Sequence, residues 1–179
     1  ERKHVDDLFL LTMKPVIYVC NVDEKSAVTG NRYVELVTES LRGKDAGILV
    51  IAGLVEAEIA ELENRDDRIA FLQDAGLNEP GVDKMIRAAY KMLNLQTFFT
   101  VGPKEIRAWT IKKGMTAPQA SGVIHSDLER GFIRAEVMKY NDYITLGSEQ
   151  ACREAGKFYI EGKNYIVEDG DILHIRFNV

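Results

Sequence analysis

Two short apolar runs rich in β-branched residues, Val16-Ile17-Tyr18-Val19-Cys20 and Ile48-Leu49-Val50-Ile51, constrain this chain more than any other feature. Each is continuous rather than alternating, the pattern of a strand buried on both faces in a parallel sheet. Between them Val34, Leu36, Val37 and Leu41 recur at helical spacing, and Ser26 or Thr29 stands where an N-cap is expected. Strand, helix, strand is one crossover unit of an α/β layer. Ligands in such layers gather beyond the C-terminal ends of the strands, where this sequence places Asn21-Val22-Asp23-Glu24 and Ala52-Gly53.

The rest of the chain changes character once. Val5 to Leu11 reads as the end of a helix stopped by Pro15. Glu56 to Glu63 and Asp66 to Ala75 read as short polar-faced helices, and Gly81 or Val82 to Leu93 as a longer one with Ile86, Ala89, Tyr90 and Leu93 inward and Met85 and Met92 in the core. Thr97 to Val101 and Ile106 to Ile111 then alternate like strands across Gly102-Pro103-Lys104-Glu105, which predicts a hairpin. A helix over Ala117 to Ile124, a strand over Phe132 to Val137 and a helix over Tyr140 to Ala155 follow. The chain closes on strands at Phe158 to Glu161, Tyr165 to Glu168 and Asp171 to Phe177. This second part is expected to be an α+β domain of β-grasp type, with the boundary near Asn94 to Gln96.

Charge follows the same division. The net charge is −5, and residues 1–96 carry 12 Lys and Arg against 17 Asp and Glu, whereas residues 97–179 carry 11 of each. A global basic footprint for nucleic acid is absent, and no DNA partner is expected. The longest stretch free of charge and strong polarity, Gly47 to Val55, falls well short of the ~20 residues a membrane-spanning helix needs. Glu1 to Asp7 has neither an apolar core nor a cleavage site of a signal peptide, and the chain reads as a piece of something longer. Cys20 and Cys152 lack metal-ligand spacing and suit a reducing compartment, so a cytoplasmic, monomeric protein is expected.

The sequence contains no GxxxxGK[ST], GxSxG, HExxH or GxGxxG pattern, so no catalytic or metal-binding residues are assigned within it. His125-Ser126-Asp127 would suit acid/base work in a self-contained enzyme, but no nucleophile accompanies it and a loop-packing role is expected. Asn21-Val22-Asp23-Glu24 reads either as a polar turn capping the next helix or as a nucleobase loop. In the second case the layout resembles the base-reading half of a P-loop GTPase, with Val22 for the usual Lys, Glu24 for the usual Asp and Ala52-Gly53 for Ser-Ala. Guanine offers donors at N1 and the 2-amino group to that Asp, whereas adenine presents an acceptor at N1. The longer carboxylate and the lost Lys therefore fit relaxed or adenine-preferring selectivity.

Longer blocks carry a more specific resemblance. Asp74 to Trp109, Gly114 to His125, Gly131 to Val137 and Asp169 to Val179 closely resemble the YchF/Obg-like ATPases, and the likeness covers essentially the whole chain. That family consists of translation-associated P-loop NTPases with a G domain, a helical insertion and a C-terminal TGS domain of β-grasp (ubiquitin-like) fold. The resemblance implies that residues 1–95 hold the end of the insertion and the second half of the α/β G domain, and residues 96–179 the TGS domain. It further implies slow ATP hydrolysis by the complete protein, GTP being used less well, with Mg²⁺ ligands outside this chain and the ribosome as a partner. Carried over by position, Asn21 would contact the adenine edge, Val22 its face, Glu24 the selectivity position, and Ala52, Gly53 and Leu54 would offer backbone N–H groups.

The predicted hairpin suggests a second surface. Lys104, Arg107, Lys112 and Lys113 lie within ten residues against a single acid, Glu105, with Trp109 among them. Cations neutralise phosphates and an aromatic stacks on a base, so RNA or ribosome binding stands beside the ordinary reading of solvated edge charges and a core Trp. A non-catalytic adaptor acting through the β-grasp domain is the alternative to the ATPase.

Overall fold

The first apolar run becomes β1 (Val16–Asn21) and the second β2 (Ala46–Ile51), paired in parallel with Val16 opposite Ala46 and Asn21 opposite Ile51. The computed structural model describes residues 8–44, 46–102 and 105–178. They fall into two units that divide between Leu93 and Asn94. Asn94, at φ 55°, takes the left-handed conformation that Asn tolerates better than most residues.

In the first unit, α1 (Arg32–Ser40) starts one turn later than the sequence suggests. Asn31, not Ser26 or Thr29, is the cap: its Oδ1 accepts from Tyr33 N at 3.0 Å and Val34 N at 3.2 Å. Ser26 instead closes a 3₁₀ turn over Glu24–Ser26, donating its N–H to Asp23 Oδ1 at 3.0 Å. Three helices follow β2: α2 (Gly53–Glu61), α3 (Arg65–Asp74) and α4 (Gly81–Met92). Val55 and Ile59 of α2, Leu72 of α3, and Ala27, Ala52 and Leu77 make one buried apolar cluster.

That cluster sits among helices and loops, and the strands contribute little to it. Val16, Tyr18 and Val19 of β1 are 42–46% exposed, contrary to the expected burial on both faces. The reason is topological: among the described residues β1 pairs with β2 alone, and a two-stranded sheet cannot bury two faces. The same one-sidedness leaves Met85 and Ile86 of α4 and Leu93 just past its end exposed, while Ala89, Tyr90 and Met92 are half-buried. Met92 Cε lies 3.1 Å from the place a Cβ on Gly47 would occupy, so α4 packs closely over β2. The helix expected over Val5 to Leu11 lies largely outside the described residues; Leu11–Met13 forms a 3₁₀ turn.

The second unit is built round a five-stranded mixed sheet in the order β4-β3-β7-β5-β6. Its strands are β3 (Leu95–Val101), β4 (Ile106–Lys112), β5 (Phe132–Lys139), β6 (Tyr159–Glu161) and β7 (Asp171–Phe177). β3 and β7 run parallel at its centre and the other neighbours pair antiparallel. α5 (Ala117–Ile124) covers one face, entered through a Thr116 to Gln119 capping box. Ala117 and Ala120 meet Phe98, Ile111, Phe132, Ala135, Val137, Val167 and Leu173 there. Phe98 is fully buried, which is worth ~1.5–3 kcal/mol of transfer free energy. On the other face Met138, Cys152 and Ile172 pack with Phe99, Val101, Tyr143 and Phe158.

Two expectations fail in this unit. The helix expected over Tyr140 to Ala155 is broken into α7 (Tyr140–Leu146) and α8 (Glu149–Glu154), because Gly147 at φ 82° ends the first and the Ser148 hydroxyl caps the second. Tyr165 to Glu168 forms no strand, only an isolated bridge from Ile166 to Thr116. Its backbone serves other partners: Ala117 N donates to Tyr165 O at 2.8 Å and Gln96 Nε2 to Val167 O at 2.6 Å. The short α6 (Ser126–Arg130) joins α5 to β5. No buried side-chain nitrogen or oxygen among the described residues lacks a hydrogen-bond partner.

Candidate functional site

β1 ends on Asn21, and Val22 N continues the ladder by donating to Ile51 O at 2.9 Å, so the two loops beyond the strands emerge side by side. Asn21 Oδ1 reaches across to accept from Gly53 N, the first residue of α2, at 2.9 Å. This contact bridges 32 positions of sequence and ties the two predicted loops together. It also suits a glycine: a Cβ on Gly53 would stand 3.1 Å from Asn21 Oδ1, close enough that the Asn21 side chain would have to give by a few tenths of an ångström. The Asn21 side-chain oxygen is thereby held in this brace.

The six residues predicted to read a nucleobase divide three ways. Asn21 and Gly53 touch. Glu24 is exposed at the start of its 3₁₀ turn, and Leu54 is 69% exposed in the first turn of α2, where the N–H groups lack intrahelical acceptors. Ala52 and Val22 turn instead into the apolar cluster of α2 and α3, so Val22 is held by packing rather than presented as a flat cover. Hydrogen bonding from Ser26 holds the Asp23 carboxyl below the usual carboxylate value. A cleft of about 450 Å³ between β1 and α1, walled by Tyr18, Tyr33, Val34 and Val37, includes Asn21 and Val22 but neither Glu24 nor the Ala52 to Leu54 loop.

These features fit the base end of a nucleotide: a bridged pair of loops, a close approach at Gly53, and a solvent-facing carboxylate. They do not extend to its phosphates. Among the described residues no group of three or more His, Cys, Asp or Glu is arranged to hold a metal ion.

The basic hairpin does not form one face. Lys104 lies outside the described residues. Arg107 stacks 5.0 Å from the Trp109 ring centroid, and Trp109 Nε1 donates to Thr100 Oγ1 at 2.9 Å. Trp109 is half-buried against the main core. Lys112 falls on the opposite face of β4 by strand alternation, five residues and ~17 Å along the strand from Arg107. Lys113 lies beyond the strand, its N–H donating to Asn94 O at 2.8 Å. His125 has a local role: its Nδ1 accepts from Asp127 N at 3.2 Å and caps α6, while Asp127 pairs with Arg130 at 2.7 Å.

Sequence reasoning missed three arrangements. Glu56 caps α4 from a distance, Oε1 accepting from Gly81 N at 2.6 Å and Oε2 from Val82 N at 3.4 Å; Pro80 in the cap position, with no side-chain acceptor, was the available signal. Asp171, fully buried, accepts from Lys139 Nζ at 2.7 Å, Tyr165 OH at 2.7 Å and Glu168 N at 2.8 Å. Burial, then the bond to Asp171, pushes the Tyr165 hydroxyl up to about 12; burial opposes the Lys139 charge, but Asp171, Glu168 and Tyr165 together raise its pKa above the ordinary value. The third is a cluster of Arg134, Arg153 and Arg176 around Glu136. No helix among the described residues is long and apolar enough to cross a membrane.

Comparison with known proteins gives consistent matches. Residues 95–178 match the family model YchF-GTPase_C, described as a protein of unknown function (DUF933). A protein of Haemophilus ducreyi named ribosome-binding ATPase YchF is 51% identical over 169 residues, covering 94% of this chain and 46% of that protein. The Bacillus subtilis protein of the same name is 48% identical over 181 residues, covering all of this chain and 49% of its own length. The solved structure of the Schizosaccharomyces pombe YchF GTPase superposes with a TM-score of 0.84 at 34% identity, over 97% of this chain and 46% of that one. This chain thus spans about half the length of the curated relatives it matches.

Proposed function

The chain is a YchF/Obg-like sequence, homologous to that family of ATPases over most of its length, and on that premise we propose that it supplies the base-reading half of a nucleotide site and a partner-binding domain. Residues 1–95 contribute the second half of a P-loop NTPase-type G domain, and residues 96–179 a TGS domain of β-grasp type. The complete protein binds and hydrolyses ATP, less readily GTP, with Mg²⁺ held by residues outside this chain. It associates with the ribosome through the second unit, in line with the names of its relatives.

The observation that carries the nucleotide reading is the Asn21 to Gly53 bridge. A bare polar turn needs no link to the next strand's loop, whereas a base held between two loops needs them fixed relative to each other. Glu24 then faces the base edge from an exposed position, and Val22, packed into the apolar cluster, leaves the base plane without the cover a Lys stem provides. ATP supplies the triphosphate chemistry; this chain's residues orient and select the base.

Calorimetric titration of Mg²⁺–ATP and Mg²⁺–GTP into this chain and into a protein of the relatives' full length that carries it tests the reading. Tight ATP binding by the longer protein alone is the expected result. Glu24→Asp combined with Val22→Lys should move its selectivity toward GTP, and an unchanged ATP:GTP ratio removes Glu24 from base selection. Absence of binding by both proteins leaves the adaptor reading.

A further inference from the structure

We propose that Arg134, Arg153 and Arg176 form a surface on the second unit's sheet that grips the phosphate backbone of RNA. Arg134 on β5 lies directly opposite Arg176 on β7, and two positions along the same strands Glu136 faces His174. On the other side Glu136 faces Ile160 of β6. Strand alternation puts all five side chains on one face. Arg153 arrives from α8, its guanidinium carbon 3.4 Å from the Phe158 ring centroid.

The depth of the charges is unequal. The Glu136 side chain is 6% exposed, while those of Arg134, Arg153 and Arg176 are 49%, 40% and 48% exposed. Arg176 Nε and Nη2 donate to Glu136 at 3.2 and 3.1 Å, Arg134 Nη2 donates at 3.4 Å, and Arg153 Nη2 stands 3.7 Å away. Arg153 also donates twice to Glu149, at 3.1 and 2.8 Å. The carboxylate is thus a floor and the guanidinia a rim, each spending only part of its donor fork inward.

Stability alone is a poor reason for this arrangement. Two like charges directly opposite on paired strands repel, and a buried carboxylate with its partners is seldom better than an apolar packing of equal volume. What the arrangement does supply is oriented guanidinia. Glu136, Glu149 and Phe158 hold the planar forks in place before any ligand arrives, so little side-chain freedom is lost on binding. Planar forks suit phosphate oxygens in pairs. Ile160, 66% exposed on the same face, adds an apolar surface for a sugar or base. The hairpin cations, split between two faces and the loop past the strand, offer no comparable platform. The choice of RNA over an acidic peptide rests on the ribosome association proposed above.

The test is fluorescence anisotropy of a labelled RNA stem-loop with this chain over a range of salt, with Trp109 emission reporting that each variant is folded. Arg134→Gln with Arg153→Gln leaves the Arg176 to Glu136 pair in place; it should weaken binding about tenfold and flatten the log–log salt dependence by ~0.7–0.9 per arginine. Lys112→Gln with Lys113→Gln should change neither quantity. Parent-like affinity and slope in the arginine variant overturn the proposal. So does displacement of the stem-loop by poly-glutamate as readily as by unlabelled RNA. Co-sedimentation with ribosomes separates this from the broader reading: a parent that sediments but ignores the stem-loop keeps ribosome association and loses the RNA surface.

Discussion

The two units place their buried residues differently. In the second, the sheet is the core: Phe98, Ala135, Val137 and Leu173, all on strands, are at most 1% exposed and lie under α5. In the first, the tightest residue is Val55 of α2, its neighbours come from helices and loops, and β1 stands half in solvent. The difference shows what a sheet needs. Five strands with helices on both faces bury apolar side chains in layers, whereas two strands leave β1 largely exposed and β2 only half-buried. Stability is therefore expected to be uneven along the chain.

The largest expected effect breaks the second unit selectively. Phe98→Ala deletes a fully buried ring at the sheet centre and should cost ~3–5 kcal/mol. Hydrogen exchange should show lost protection in β3 and β7 while α2 and α3 keep theirs; equal loss in both units would show one cooperative block and undo the comparison. Next is Lys139→Ala, which leaves the buried Asp171 without its cation. The loss should reach about 2 kcal/mol, below the range for a fully buried pair because Tyr165 and Glu168 N still donate to Asp171 and Lys139 is partly exposed. Urea unfolding followed by the chain's one Trp, Trp109 in the second unit, reads this effect directly.

A smaller effect belongs to the first unit. Glu56→Ala removes the distant cap of α4 and should cost ~1 kcal/mol, seen as faster exchange in the first turn of α4 with Trp109 unfolding unchanged. The smallest effect is a pH dependence of the second unit. Hydrogen bonding from Arg176 above all, against the opposing effect of burial, keeps the Glu136 carboxyl below its ordinary value. Its contribution to stability is complete above the unfolded carboxylate range and is lost as pH falls through the lowered folded value. Glu136→Gln should flatten the acid limb of Trp109-monitored stability, and an unchanged limb would assign it to other carboxylates.

Local pattern carried much of this fold. The runs that became β1 and β2, the alternation that became β3 and β4, and the helix over Ala117 to Ile124 were legible because strand and helix periods are set within a few residues. The break at Gly147 escapes a sequence reading because helix-forming residues continue on either side of it. Burial was not legible: Val16 to Cys20 has the composition of a doubly covered strand, and only its neighbours decide whether covers exist. Asn21 and Gly53 could be named from the loops after the strands, but their bond could not, since it joins positions 32 apart.

Sequence by itself determined the order of elements, the change from an α/β to an α+β segment and the chemical types gathered in the loops, because these depend on periodicity and residue identity over short windows. Tertiary structure decided the rest. It set Glu56 on the start of α4, Asp171 beneath Lys139 and Tyr165, and Glu136 beneath three arginines. It also separated the hairpin's cations by strand parity. Each of these is a meeting of groups distant in sequence or divided by the two faces of a sheet, and chain closure, not local preference, chooses such partners.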